Sequence, residues 1–356
     1  MNTIERLRHE LEGAGLDAVL LSDVASIQWA TGFTGSFGYA IVTPGGGRFL
    51  TDSRYTIQAQ EQVRSLDNAS FGNPKSGSEF LSENLAELGI QKLGFEGGSV
   101  TVSTFNDWKT KLPSVEWTSV DFVQRLRVVK SAEEIEKIRR ACELADACFD
   151  HVQRLIQPGV SEYDIGLEIE FFFRRHGAGL AFDPAVVSGE RSAMPHGRPS
   201  EKKLAPGEFL TLDFGAKLDG YCSDITRTVM VGEPTAEHRR VYDAVLESQL
   251  AALDAMKPGV PGNAVDQVAR DVLAKYNLAQ YFGHGLGHGL GRLVHDGGSL
   301  SPSSKNVLEP GQVWTVEPGA YINGFGGVRI EDDVVVTERG IDILTHSPKE
   351  LLTFPR

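Results

Sequence analysis

Two stretches of the chain lie 104 positions apart and read as copies of each other, and each carries two acids. The first is Leu204-Ala-Pro206-Gly207-Glu-Phe-Leu-Thr211-Leu-Asp213-Phe-Gly215-Ala216; the second is Leu308-Glu-Pro310-Gly311-Gln-Val-Trp-Thr315-Val-Glu317-Pro-Gly319-Ala320. Asp213 in one is matched by Glu317 in the other. Each copy then meets a turn signal, Asp219-Gly220 or Asn323-Gly324, and returns with a second acid, Asp224 or Glu331. Asp-Gly and Asn-Gly flanked by apolar runs mark hairpins. Acids at similar distances from such a turn face each other across the strands, with Cβ atoms roughly 4.5–5.5 Å apart. A bulge or a longer loop adjusts that register where the distances are unequal. Two carboxylates so placed repel unless a cation lies between them. Two such hairpins facing each other gather four carboxylates around one point, which asks for two metal ions.

The duplication reaches beyond the hairpins. Gln157-Pro158-Gly159-Val160 recurs 100 positions later as Lys257-Pro258-Gly259-Val260, each between a long helical run and a shorter one. In the shorter runs Ile165, Ile169, Phe172 and Phe173 align with Val265, Ala269, Val272 and Leu273 at helical spacing. Residues 131–233 and 234–339 therefore read as related halves of one domain, helix–helix–strands–hairpin. So long a period is not that of a solenoid; it predicts internal pseudo-two-fold symmetry with a site at the seam.

A chain of 356 residues has room for a second domain ahead of this one. Ile4, Leu7 and Leu11 form a helical stripe that stops at Gly13 and Gly15, and Ala18–Leu21 follows as a buried strand. Tyr39–Val42 and Arg48–Thr51 flank a glycine-rich turn; residues 78–88 and 102–112 read as helices around a strand at Lys92–Phe95. A new helix opens at the capping box Ser131-Ala-Glu-Glu134. The division is an α/β domain over residues 1–124 and an α+β catalytic domain over 125–356.

Composition sets bounds on the function. The net charge of −13 disfavours a nucleic-acid surface, which needs clustered Lys and Arg. Cys142, Cys148 and Cys222 have neither metal nor redox spacing and read as reduced thiols. The first residues open an amphipathic helix rather than a signal peptide, and no run approaches the ~20 apolar residues of a membrane span. The expectation is a cytoplasmic protein with no membrane or nucleic-acid partner.

Between the hairpins lies Gly283-His284-Gly285-Leu-Gly287-His288-Gly289-Leu-Gly291-Arg-Leu-Val-His295-Asp296. Glycines let backbone approach a ligand closely, and neutral imidazoles are common ligands of transition metals. A further histidine, His196, follows Met194-Pro195. A single His or acid in such a place is most often a polar loop residue or a solvated strand charge. The duplicated carboxylates together with this stretch point to a metal site.

Asp213, Asp224, His288, Glu317 and Glu331 resemble, as a set, the five ligands of the pita-bread metallopeptidases, the group of aminopeptidase P, prolidase and methionine aminopeptidase. Residues 124–131 resemble the entry to that catalytic domain, and Leu50-Thr-Asp-Ser-Arg54-Tyr55 resembles the creatinase-type N-terminal domain of the aminopeptidase P and prolidase branch. The resemblance implies a pita-bread fold and two divalent ions per chain. Mn²⁺ suits an oxygen-rich set with one imidazole, and Co²⁺, Zn²⁺ or Fe²⁺ also fit. It gives Asp213 to one ion, His288 and Glu317 to the other, and Asp224 and Glu331 to both. The ions share a water whose pKa they lower, and Glu317 shuttles a proton to the leaving nitrogen. His196 and His295 line the pocket as catalytic residues, with His284 and Arg329 in support. It also implies peptides with proline in second position as partners, and a homo-oligomer, a dimer.

Within that branch the preferred expectation is an Xaa-Pro aminopeptidase, because the segment from His295 to Glu317 is compact and has no basic insert to hold a dipeptide carboxylate. Prolidase, the Xaa-Pro dipeptidase, is the alternative. A metal-free creatinase-like hydrolase or a non-catalytic binding module is the remote one, disfavoured by acids and His at all five positions.

Overall fold

The computed structural model describes residues 2–355, and the chain forms two compact units that divide between Arg127 and Val128. The boundary expected at 124/125 falls inside the helix Phe122–Val128, whose Phe122 and Val123 pack into the core of the first unit. Among the described residues no helix is long and apolar enough to cross a membrane.

In the first unit a six-stranded sheet runs in the spatial order Asp67–Phe71, Gly46–Asp52, Tyr39–Thr43, Ala18–Leu21, Lys92–Phe95, Glu116–Ser119. Tyr39–Thr43 is antiparallel to both neighbours, and the other pairings are parallel. All four residues of Ala18–Leu21 are buried, as in a strand covered on both faces. Val19 and Leu21 meet Leu7 and Leu11 of the helix Thr3–Ala14 in one core. Ala18 and Leu20 meet Leu81, Leu85 and Trp108 in another.

The second unit repeats itself. Helices Ala132–Val152 and Glu162–Arg175 open its first half, and Ala236–Ala255 and Gly262–Lys275 open its second. The Ser131/Glu134 capping box starts the first of them. In each half the proline-glycine loop after the long helix is bonded to the leucine that opens the hairpin motif. Gly159 N–H donates to Leu204 O at 2.9 Å, and Gly259 N–H to Leu308 O at 2.8 Å. The return bonds, Leu204 N–H to Val160 O and Leu308 N–H to Val260 O, complete the same pair twice. Even the strand-edge contacts recur: Gly207 N–H donates to Val231 O and Gly311 N–H to Val336 O.

Each half has its own core. Phe149, Ile165, Ile169 and Phe173 pack with Leu210, Leu212 and Phe214; Val245, Val265, Ala269 and Leu273 pack with Trp314, Val316, Val328 and Ile330. Alternation along a strand sends the intervening residues to the opposite face. These are Thr211 and Asp213 in the first half, and Thr315, Glu317, Arg329 and Glu331 in the second. Two strips of polar side chains are thereby set between two apolar cores, the architecture of a pita-bread domain with internal pseudo-two-fold symmetry.

Candidate metal centre

In the first hairpin the strands Glu208–Phe214 and Ile225–Val231 pair antiparallel, with Asp213 opposite Thr226 and Phe214 opposite Ile225. The same register continues to the tip, where Leu218 faces Tyr221. The two tip residues, Asp219 and Gly220, have φ of 51° and 81°, the left-handed pair a two-residue primed turn requires. No bulge intervenes, so Asp224 lies two positions along from the residue facing Asp213. The two acids are diagonal neighbours on one face, not cross-strand partners.

In the second hairpin Val316 pairs with Asp332 and Gly319 with Arg329. That unbroken register sets Glu317 directly opposite Glu331, around a tip of residues 323–325. The hairpins join side by side. Glu331 N–H donates to Thr226 O at 3.1 Å, and Thr228 Oγ1 donates to Arg329 O at 3.0 Å.

His288 sits on the short strand Gly287–His288, paired with Ser299–Leu300. A side chain at Gly287 would put its Cβ 2.0 Å from Thr315 O, and one at Gly289 would put it 1.9 Å from Gly297 O. Only glycine lets the backbone press this closely on the second hairpin at one side and on the 297 loop at the other, and that packing fixes His288. Thr315 serves both neighbours: its Oγ1 accepts from His288 N–H at 3.0 Å and donates to Glu317 Oε1 at 3.2 Å.

These elements bring His288 Nε2 within 3.6 Å of Asp224 Oδ2 and 3.5 Å of Glu317 Oε1. Ligand atoms of Asp224, His288 and Glu331 all lie within 4.8 Å of one another. Asp213 lies to one side, ion-paired to Arg329, and its Oδ1 is buried with no hydrogen-bond partner. Two adjoining cavities of about 360 and 460 Å³ open onto the site. His196, His288, His295 and Glu317 line both; His284 and Arg329 line the first, and Asp224 and Glu331 the second. The rings of His288 and His295 lie 4.0 Å apart.

The electrostatics are those of acids crowded together away from water. Burial pushes the Asp224 carboxyl well above its usual range, and Glu331, Asp213 and Glu317 push it further. Burial and then the facing Glu331 do the same to Glu317. Glu331 rises to about 8 through burial and then Asp213. Asp213 is raised by burial against the pull of Arg329. Burial lowers His288 to about 4, with His295 adding to the effect, so its imidazole is neutral. Crowded acids, an orphaned carboxylate oxygen and a neutral imidazole are the donor set a divalent cation fits, because the cation supplies the missing charge and partners.

Further side chains complete the surroundings. Tyr321 Oη accepts from Arg329 Nη1 at 2.8 Å and meets His284 Nε2 at 2.8 Å. Thr226 Oγ1 donates to Glu331 and accepts from Arg329 Nε. Asp333 Oδ2 accepts from Asp224 N–H at 2.8 Å and from the Cys142 thiol at 3.3 Å. Tyr321 was findable, since it shares Glu317's strand face at an even offset. The other contacts span about 100 residues or more of sequence. All three cysteines are buried and free, as their spacing predicts.

Comparison with known proteins agrees with this geometry. The model of metallopeptidase family M24 matches residues 136–338, and that of the creatinase/prolidase N-terminal domain matches residues 3–129. A solved Xaa-Pro dipeptidase from Bacillus anthracis is 42% identical with a TM-score of 0.94, covering 99% of each chain. An X-Pro aminopeptidase structure from Thermotoga maritima is 37% identical with a TM-score of 0.90, over 97% of this chain and 99% of that one. The Xaa-Pro dipeptidase of Pyrococcus furiosus is 34% identical over 351 residues, 98% of this chain and 99% of its own.

Proposed function

The chain belongs to metallopeptidase family M24, and from that premise we propose that it hydrolyses the bond preceding proline in Xaa-Pro dipeptides. Asp213, Asp224, His288, Glu317 and Glu331 would hold two divalent ions, Mn²⁺ being well suited to one imidazole among carboxylates. The observation that carries this reading is the convergence of Asp224, Glu317, Glu331 and a neutral His288 on one cavity, with Asp213 beside them and its Oδ1 left without a partner. When bound, such ions supply Lewis-acid chemistry, polarising a carbonyl and lowering the pKa of a water.

The residues of the chain do the rest. Arg329 holds Asp213 from one side, and Thr226 and Thr315 fix the carboxylates of Glu331 and Glu317. His196 and His295 line the cavity where the scissile carbonyl would lie. Glu317, mostly buried and facing Glu331, is placed to carry a proton to the proline nitrogen as it leaves. That nitrogen belongs to a tertiary amide with no N–H, so no backbone grip on an amide hydrogen is available at that bond.

The dipeptidase reading is preferred over the aminopeptidase expected from the compact 295–317 segment. Two relatives named as Xaa-Pro dipeptidases match over nearly the whole of both chains at 42% and 34% identity, and that likeness outweighs the compactness of one segment. The Thermotoga relative supports the aminopeptidase as the second reading. Chelated protein reloaded with Mn²⁺ and given an Xaa-Pro dipeptide and an Xaa-Pro-Xaa tripeptide separates them. Cleavage of the dipeptide alone is expected; release of the first residue from the tripeptide would transfer the assignment to aminopeptidase.

A further inference from the structure

Among the histidines that line the cavity, His196 is the one that lies outside the glycine-rich stretch, on a loop of its own. Its side chain is exposed, and among the described residues no hydrogen bond holds its ring. The loop leaves the strand Ala185–Ser188, passes the 3-10 turn Gly189–Ala193 and returns at Ser200. Both of its ends converge on one carboxylate. Glu162, fully buried in the first turn of the helix Glu162–Arg175, accepts at Oε1 from Ser188 N–H at 2.7 Å and Ser188 Oγ at 2.9 Å. At Oε2 it accepts from Ser200 N–H at 3.1 Å and Ser200 Oγ at 2.7 Å.

Between these ends, Arg191 Nε donates to Glu162 Oε2 at 3.1 Å while its Nη2 donates to Arg198 O at 2.6 Å, across the loop. The returning Pro199 packs on Gly166 of the same helix, where an added Cβ would lie 3.1 Å from the ring. The helix does not need Glu162 for its own start. Ser161 and Asp164 already form its capping box, and Ile165, Ile169 and Phe173 bury its apolar face. An acid buried completely and saturated by donors from both ends of one loop serves that loop.

We propose that Glu162 is a positioning residue that closes the 188–200 loop and thereby sets His196 in the cavity, an assignment that rests on that cavity being the peptidase site. Glu162→Gln keeps the shape but turns one acceptor into an N–H₂ that faces donors, and it removes the charge that holds Arg191. Hydrogen exchange should become about tenfold faster in residues 189–200, with the strand Glu208–Phe214 unchanged. Metal content and KM should hold while kcat falls about tenfold, and in a His196→Ala background Glu162→Gln should change kcat by less than about twofold. Ser200→Ala removes one donor and should shift exchange the same way to a smaller extent, which keeps the test open if Glu162→Gln does not fold. Unchanged exchange across 189–200 in the folded variants, or losses in kcat that multiply in the double variant, overturns the proposal. Exchange is read without substrate, so a wild-type chain that cleaves no Xaa-Pro bond defeats the functional reading separately.

Discussion

The two hairpins of the second unit descend from one pattern yet place their acids differently. Asp213 and Asp224 are eleven positions apart around a two-residue turn and lie diagonally. Glu317 and Glu331 are fourteen apart around a longer tip and lie face to face. Glu331 is the neighbouring charge that raises both Asp224 and Glu317 most, so repulsion runs between hairpins as well as within one. The cation that relieves Asp213 is Arg329, borrowed from the other copy. Duplication supplied two sets of acids, and each copy lends the other a partner, Arg329 to Asp213 and Thr226 to Glu331.

The sharpest test of that division is to remove one central acid from each hairpin. Asp224→Ala and Glu331→Ala should each lose bound metal and lower kcat/KM about 10³-fold, roughly 4 kcal/mol of transition-state stabilisation. Metal analysis by mass spectrometry beside the kinetics decides it. Two tightly held ions in either variant would break the idea that these acids serve both ions.

The histidines come next. His288→Ala should lower metal occupancy, and His295→Ala should keep the ions and lose about 10²-fold in kcat. Equal metal loss in His284→Ala, His288→Ala and His295→Ala would erase the distinction between them. A smaller effect is expected where the hairpins support each other. Arg329→Met should weaken metal binding about 10–100-fold, the usual range for a group that orients a ligand. Thr226→Val, which removes the hydroxyl shared by Arg329 and Glu331, should fall at the low end of that range. Titration of the apoprotein with Mn²⁺ measures both, and wild-type affinity in Arg329→Met would mean that Asp213 needs no partner from the other copy.

Much of this was legible in the sequence because it is written in local periodicity and repetition. The helical stripes of Ile4, Leu7 and Leu11 and of Ile165, Ile169 and Phe173 are buried where their spacing puts them. Of the repeated acids, Asp224, Glu317 and Glu331 meet the His288 stretch at one cavity. The register of the acids was not legible, because it depends on whether the strands pair without a bulge, and only the paired backbone shows that. The partnerships of Arg329 with Asp213, Thr226 with Glu331 and Ser188 and Ser200 with Glu162 were also hidden. Each joins polar residues well separated in the chain, and which of them meet is decided only when the fold buries them together. The polar edge strands Asp67–Phe71 and Glu116–Ser119 carry little apolar alternation and so give a weak signal.

The smallest effect expected lies at the hairpin tips, and it separates backbone strain from crowding. Gly220 and Gly324 both have left-handed φ, 81° and 77°. An alanine at either position should cost about 1 kcal/mol for that conformation, a melting shift of roughly 2–4 °C for a unit of this size. A Cβ at Gly324 meets nothing within 4 Å, whereas at Gly220 it would lie 2.8 Å from Arg292 Nη1, whose guanidinium stacks 4.5 Å from the Tyr221 ring. Gly220→Ala must displace that guanidinium and give up part of a cation–π contact worth about 0.5–1 kcal/mol at a partly exposed site. It should therefore melt lower than Gly324→Ala. Thermal melts of the two variants side by side give the answer, and equal shifts would show that the Arg292 stack contributes nothing to the first tip. Neither substitution touches the acids, so both variants should keep their metals; a loss of metal in Gly220→Ala alone would mean that the two-residue tip helps hold Asp224 in place.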